Sequence, residues 1–99
     1  MKPQLTKAHF RGEPVDLVVD VRSRIEYWTG HLPGAVCIPV ERIPGGIAER
    51  GGVSTSSRIL VYCAGGARSA AAAAKLRDAG FLHVVDAGGY ADALNHFAP

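Results

Sequence analysis

Four short apolar runs, separated by stretches of helical character, constrain the fold of this chain more than any other feature. Val15 to Val21 reads Val-Asp-Leu-Val-Val-Asp-Val and Arg58 to Tyr62 reads Arg-Ile-Leu-Val-Tyr, while Val36-Cys37-Ile38 and His83-Val84-Val85-Asp86 repeat the pattern. Runs this short and this rich in β-branched residues read as strands buried on both faces, as in parallel sheets. The intervening segments carry helix signals. Arg24 to Thr29 forms a short helix ended by Gly30, and Ser69 caps or opens a helix through Ala70 to Ala79, with Leu76 on its packed face and Gly80 as its stop. A last helix starts near Tyr90, after Gly88-Gly89, and packs through Ala91, Leu94 and Phe97. Ile47 to Arg50, between two Gly-Gly pairs, reads only as a turn. The expected architecture is α/β, a mostly parallel central sheet of four or five strands flanked by helices on both faces.

A chain of 99 residues supports one hydrophobic core, so residues 1–99 are expected to form a single domain. With 47% hydrophobic and 20% charged residues it should fold unaided. Eleven Lys and Arg against nine Asp and Glu give a formal charge of +2, scattered without a basic block, which argues against a nucleic-acid partner. Neither Ile59 to Tyr62 nor the run Ala70 to Ala74 approaches the roughly 20 residues needed to cross a bilayer, so no membrane partner is expected. Met1-Lys2-Pro3-Gln4 opens no apolar leader, and the expectation is a cytoplasmic protein whose two cysteines, Cys37 and Cys63, stay reduced.

Ligand crevices in open α/β sheets lie beyond the carboxyl ends of the strands. Of the loops that begin there, near Asp20, Ile38, Cys63 and Asp86, one starts with a thiol followed closely by two glycines: Cys63-Ala64-Gly65-Gly66-Ala67-Arg68-Ser69. Gly65 and Gly66 allow successive N–H groups to turn inward, and the following helix adds unpaired N–H groups and the positive end of its dipole. Such a loop cradles an anion. A thiol among these donors and the Arg68 guanidinium ionises more readily than a free cysteine, which makes Cys63 a candidate nucleophile. The same donors would stabilise a terminal persulfide anion, and Arg68 would orient an anionic substrate. The alternative is an inert buried thiol at a strand end, but that role requires no Gly-Gly pair, Arg and Ser within six residues.

The loop resembles that of the rhodanese family, Cys-x-x-Gly-x-Arg-Ser. The stretch from Asp20-Val21-Arg22 through Glu26 to Gly30-His31-Leu32-Pro33-Gly34-Ala35, continued by Ile38-Pro39, is similar to the family's other signature, and Gly88-Gly89-Tyr90 matches its Gly-Gly before the last helix. The likeness runs from about Val15 to Phe97. It implies a rhodanese-like fold and a sulfurtransferase that carries sulfane sulfur as a persulfide on Cys63, with substrate bound by Ala64, Gly65, Gly66, Ala67, Arg68 and Ser69. The related cysteine phosphatases place five residues between Cys and Arg; here there are four, which disfavours a phosphatase or arsenate reductase. A non-catalytic rhodanese-like binding module is the other alternative.

Asp20, Arg22 and Glu26 are expected to brace the site, with an Arg22–Glu26 ion pair allowed by their spacing of four. His31 sits in a rigid turn and is assigned to the scaffold, as in the family. No His pair shares metal-ligand spacing with a cysteine, so no metal is expected, and no cofactor is required. Cys37 is read as a small buried hydrophobe, with a relay of sulfur as the alternative. The expected partners are thiosulfate or a persulfide as donor, and cyanide, a thiol, or a thioredoxin-like or sulfur-carrier protein as acceptor. With Ala64, Gly65 and Ala67 uncharged, Arg68 alone brings positive charge to the loop, so dianionic thiosulfate should bind weakly.

Overall fold

A computed structural model describes residues 8–99. The segment Met1-Lys2-Pro3-Gln4, which carried the expectation about a leader, lies outside them. The described residues open with β1 (Ala8–Phe10) and β2 (Glu13–Val15), an antiparallel hairpin. Its two-residue turn puts both Arg11 and Gly12 at positive φ, 51° and 83°, the backbone that matches the twist of paired strands. The chain then enters β3 (Leu17–Asp20), α1 (Arg24–Trp28) and β4 (Val36–Cys37). There follow a 3-10 turn (Val40–Arg42), α2 (Gly45–Ala48), β5 (Arg58–Cys63) and α3 (Ala67–Asp78). It closes with β6 (His83–Gly89), α4 (Tyr90–Leu94) and β7 (Phe97–Ala98).

The expected sheet is present: β4, β3, β5 and β6 lie side by side in that order, all parallel. Their register puts Asp20 level with Cys37 on one side and with Tyr62 on the other, so the carboxyl ends of three strands meet at one edge. Alternation along β5 divides the core. Ile59, Val61 and Cys63 face Ala72, Ala73 and Leu76 of α3 and Ile47 of α2. Leu60 and Tyr62 face the other layer, where Tyr27 of α1, Ala93 of α4, Phe10 and Phe97 pack. Helices thus cover both faces, and each fully buried aliphatic side chain contributes roughly 1.5–3 kcal/mol.

Several expectations change in detail. The run from Val15 to Val21 is not one strand. It breaks at Asp16, whose N–H donates to the Arg58 carbonyl at 2.9 Å and whose carboxylate accepts the Arg58 N–H at 2.8 Å, while Val15 ends β2 of a second sheet. That sheet, β2-β1-β7, takes Phe97 out of the last helix and into a strand. In α4 itself Ala93 is buried while Ala91 and Leu94 face out. Ile47 to Arg50 is not only a turn: Ile47 and Ala48 belong to α2, which begins at Gly45 and passes so close to Ile38 that a Cβ on Gly46 would come within 2.6 Å of its Cγ2. The main helix begins at Ala67, three residues before Ala70, with Gly66 as its N-cap, so Ser69 lies inside the first turn.

Candidate active site

Cys63 is the last residue of β5, and the chain turns immediately after it into α3. The pairing with β6 slips here: Val61 is level with Asp86, but Cys63 is level with Gly89. This irregularity brings β6 under the loop. A Cβ on Gly89 would come within 2.6 Å of the Ala64 carbonyl oxygen, so Gly88-Gly89, the pair before the last helix, continues β6 and forms the support of the loop. Gly66 takes φ +109°, a conformation that disfavours a side chain, and donates its N–H to the Cys63 sulfur at 2.9 Å. Gly65 is not in the positive-φ region; the turn depends on Gly66.

Burial by itself pushes the Cys63 thiol up, yet its pKa is lowered, because the Ser69 N–H and hydroxyl and the N–H groups of Gly66 and Gly65 together outweigh desolvation. Ser69 has one hydroxyl proton and two acceptors for it. In the structure it donates to the Gly66 carbonyl at 3.0 Å, and a charged sulfur competes for the same proton. The sulfur sits on the floor of the loop: Cys63 is 1% exposed, whereas Ala64, Gly65 and Ala67 around it are open to water.

Arg68 departs most from expectation. Its guanidinium meets both oxygens of Glu26 on α1, Nη1 to Oε1 at 2.8 Å and Nη2 to Oε2 at 3.0 Å. The bond to Arg68 and the Ser23 N–H lower the Glu26 pKa to about 2. The ion pair read from spacing, Arg22 with Glu26, is therefore replaced by one that joins helix α1 to the first turn of α3 across 42 residues. The donors that lower the thiol pKa are chiefly uncharged, and Arg68 acts beside a carboxylate that cancels its charge.

Arg22 instead turns back to Asp20. Nε lies 2.9 and 3.1 Å from the two carboxylate oxygens and Nη2 2.7 Å from Oδ2, and Nη2 also donates to the Gly30 carbonyl at 2.6 Å. The Tyr62 hydroxyl donates to Asp20 Oδ2 at 2.9 Å and accepts the Leu32 N–H at 2.9 Å. Tyr62 was missed in the sequence, where it is only one member of an apolar run. The hydrogen bond to Asp20 raises the Arg22 pKa, and burial raises that of Tyr62. The guanidinium also lies 4.9 Å from the Tyr90 ring centre.

His31 stacks on Tyr27 with ring centres 3.7 Å apart and its Nδ1 lies 2.8 Å from the Tyr27 carbonyl oxygen, within the scaffold. Trp28, in contrast, is 76% exposed. Cys37 is half-buried, its thiol 3.7 Å from the Arg22 carbonyl oxygen, and burial raises its pKa. Strand β3 separates it from β5, so the two cysteines stand about two strand spacings apart, roughly 10 Å, beyond the about 7 Å that a disulfide spans.

With this geometry in place, comparison with known proteins defines the class. The family model of the rhodanese-like domain matches residues 2–95, and the chain belongs to the rhodanese family. It is 34% identical over 78 residues to the thiosulfate sulfurtransferase PspE of Escherichia coli K12, covering 75% of this chain and 70% of that protein. Among solved structures, the Alr3790 protein from Anabaena superposes with a TM-score of 0.73 at 36% identity, over 85% of this chain and 74% of that one. A rhodanese with anions from E. coli superposes with a TM-score of 0.68 at 29% identity, over 83% of this chain and 95% of that one. The chain spans only 18% and 21% of two tRNA uridine(34) hydroxylases that it also matches. Among the described residues no helix is long and apolar enough to cross a membrane.

Proposed function

We propose that the protein is a sulfurtransferase in which Cys63 carries the transferred sulfur as a persulfide. The observation that carries this reading is the Gly66 N–H directed at the Cys63 sulfur from 2.9 Å, within a loop whose neutral donors favour the thiolate. The thiolate attacks the outer sulfur of a donor. With thiosulfate, the new S–S bond forms as the sulfur–sulfonate bond breaks, and its electron pair leaves with sulfite. A nucleophile then takes the terminal sulfur: cyanide gives thiocyanate and returns the Cys63 thiolate, and a thiol or a carrier protein serves the same role. Each step conserves charge and needs no cofactor. The N–H groups that favour the thiolate would stabilise a persulfide anion by the same kind of hydrogen bond. Asp20 and Arg22 act at one remove from the sulfur, bracing the ends of β3 and β5 through the Tyr62 hydroxyl and the Gly30 carbonyl.

The near-complete closure of Cys63 favours a second reading, a rhodanese-like module that binds a partner and does not turn over. Intact-protein mass measurement after incubation with thiosulfate, and separately with glutathione persulfide, decides between them. Sulfur transfer gives a gain of one sulfur atom that dithiothreitol removes and that Cys63→Ser abolishes. If neither donor adds sulfur to the folded wild-type protein, the binding module stands.

A further inference from the structure

A cation in the first turn of a helix faces the positive end of the helix dipole, an unfavourable place for it. Arg68, second residue of α3, occupies that place beside the anion-binding loop, and Glu26 offsets the conflict. The offset is built in rather than incidental. Glu26 is the N3 residue of a capping box, so its Oε1 also accepts the Ser23 N–H at 3.0 Å and the Ser23 hydroxyl at 3.1 Å. Held from one side by its own helix and from the other by a two-pronged guanidinium, the carboxylate has little freedom to swing away.

The consequence concerns charge at the mouth of the loop. Ala64, Gly65, Gly66 and Ala67 carry none, and Arg22 is spent on Asp20 beneath the sheet edge. With Arg68 cancelled by Glu26, a Cys63 thiolate leaves the site with a net charge of one negative unit. A dianion approaching it meets repulsion that a neutral or singly charged donor largely escapes. Resting on the sulfur-transfer reading, we infer that Glu26 is a specificity-determining residue: by pairing with Arg68 it sets the loop to accept sulfane donors of low charge, of the alkyl persulfide class, in preference to thiosulfate.

Two donors of the same leaving-group chemistry test this, thiosulfate with two charges and methanethiosulfonate with one. Each loads a thiolate by breaking its sulfane–sulfonyl bond, releasing sulfite or methanesulfinate. Glu26→Gln keeps a side-chain acceptor for the Ser23 N–H, so the helix cap is retained. The rate of persulfide formation, followed by mass, is expected to rise about tenfold with thiosulfate in this variant, and clearly less with methanethiosulfonate. Arg68→Gln in the Glu26→Gln background removes the gain, since Arg68 is the group released. In the wild-type protein, added inert salt speeds thiosulfate loading more than methanethiosulfonate loading. A ratio of the two donors unchanged by Glu26→Gln, or thiosulfate loading that falls, overturns the inference and leaves Glu26 a brace. If neither donor loads wild type or variant while glutathione persulfide still loads Cys63, the inference fails and sulfur transfer stands; if glutathione persulfide also adds no sulfur to the folded protein, the sulfur-transfer reading fails, and the inference with it.

Discussion

Two acid–base pairs flank the cysteine loop, and they differ in almost every physical respect. Asp20 and Arg22 are buried at the strand end, 0% and 5% exposed, and share a network with Tyr62 and the Gly30 carbonyl. Glu26 and Arg68 stand at the surface, their side chains 34% and 39% exposed, and connect two helices. Water already solvates much of the second pair, so breaking it exposes little that was not exposed before. Breaking the first strands a charge where little water reaches it. The difference separates two tasks: the buried pair fixes where the strands end, and the surface pair sets the charge that an incoming molecule meets.

The largest effect expected from this contrast comes from Asp20→Asn. The change is nearly isosteric but leaves the Arg22 guanidinium buried without its counter-charge, and the expected loss is about 3 to 5 kcal/mol of unfolding free energy. Urea denaturation followed by far-ultraviolet circular dichroism measures it, since Trp28 is already exposed in the folded chain. A loss below 1 kcal/mol would place Asp20 with the surface pair and dissolve the distinction. Tyr62→Phe should follow at about 1 to 3 kcal/mol, because it removes one donor to Asp20 and the acceptor of the Leu32 N–H while keeping the ring. A double variant with Asp20→Asn sharpens the point: sharing one network, the two losses should fall short of adding, by 0.5 kcal/mol or more.

The same contrast explains what could be read from the sequence. The β-branched runs locate all four strands of the parallel sheet, and the order Cys63 to Ser69 locates the loop, because both are local patterns. Ser23-x-x-Glu26 is a legible capping box, and attention to it would have directed Glu26 away from Arg22. The partnership of Glu26 with Arg68 is not local, and four-residue spacing offers a nearer but wrong answer: Arg22 precedes α1, where helical i, i+4 geometry does not apply. Gly45 and Gly46 read as breakers because propensity says nothing of how near Ile38 passes. Phe97 reads as helix because its strand exists only through pairing with Phe10 at the other end of the chain.

The surface pair should show its smallest effect in stability and its clearest one in pH. Glu26 titrates at about 2 in the folded chain against an ordinary value of 4.5, so the ionised carboxylate contributes stability that is complete above pH 4.5 and lost as pH falls through 2. Because the pair is a third exposed and screened by salt, that contribution is about 1 kcal/mol or less. Glu26→Gln should thus unfold slightly more readily than wild type at pH 7, and the gap should close between pH 4.5 and 2. High salt at neutral pH should narrow it as well. For Asp20→Asn, by contrast, neutral-pH salt should leave the deficit nearly intact, since a buried pair is screened far less. A Glu26→Gln deficit as large and as insensitive to salt as that of Asp20→Asn would mean that the two pairs do the same work, and that donor charge is not what Glu26 controls.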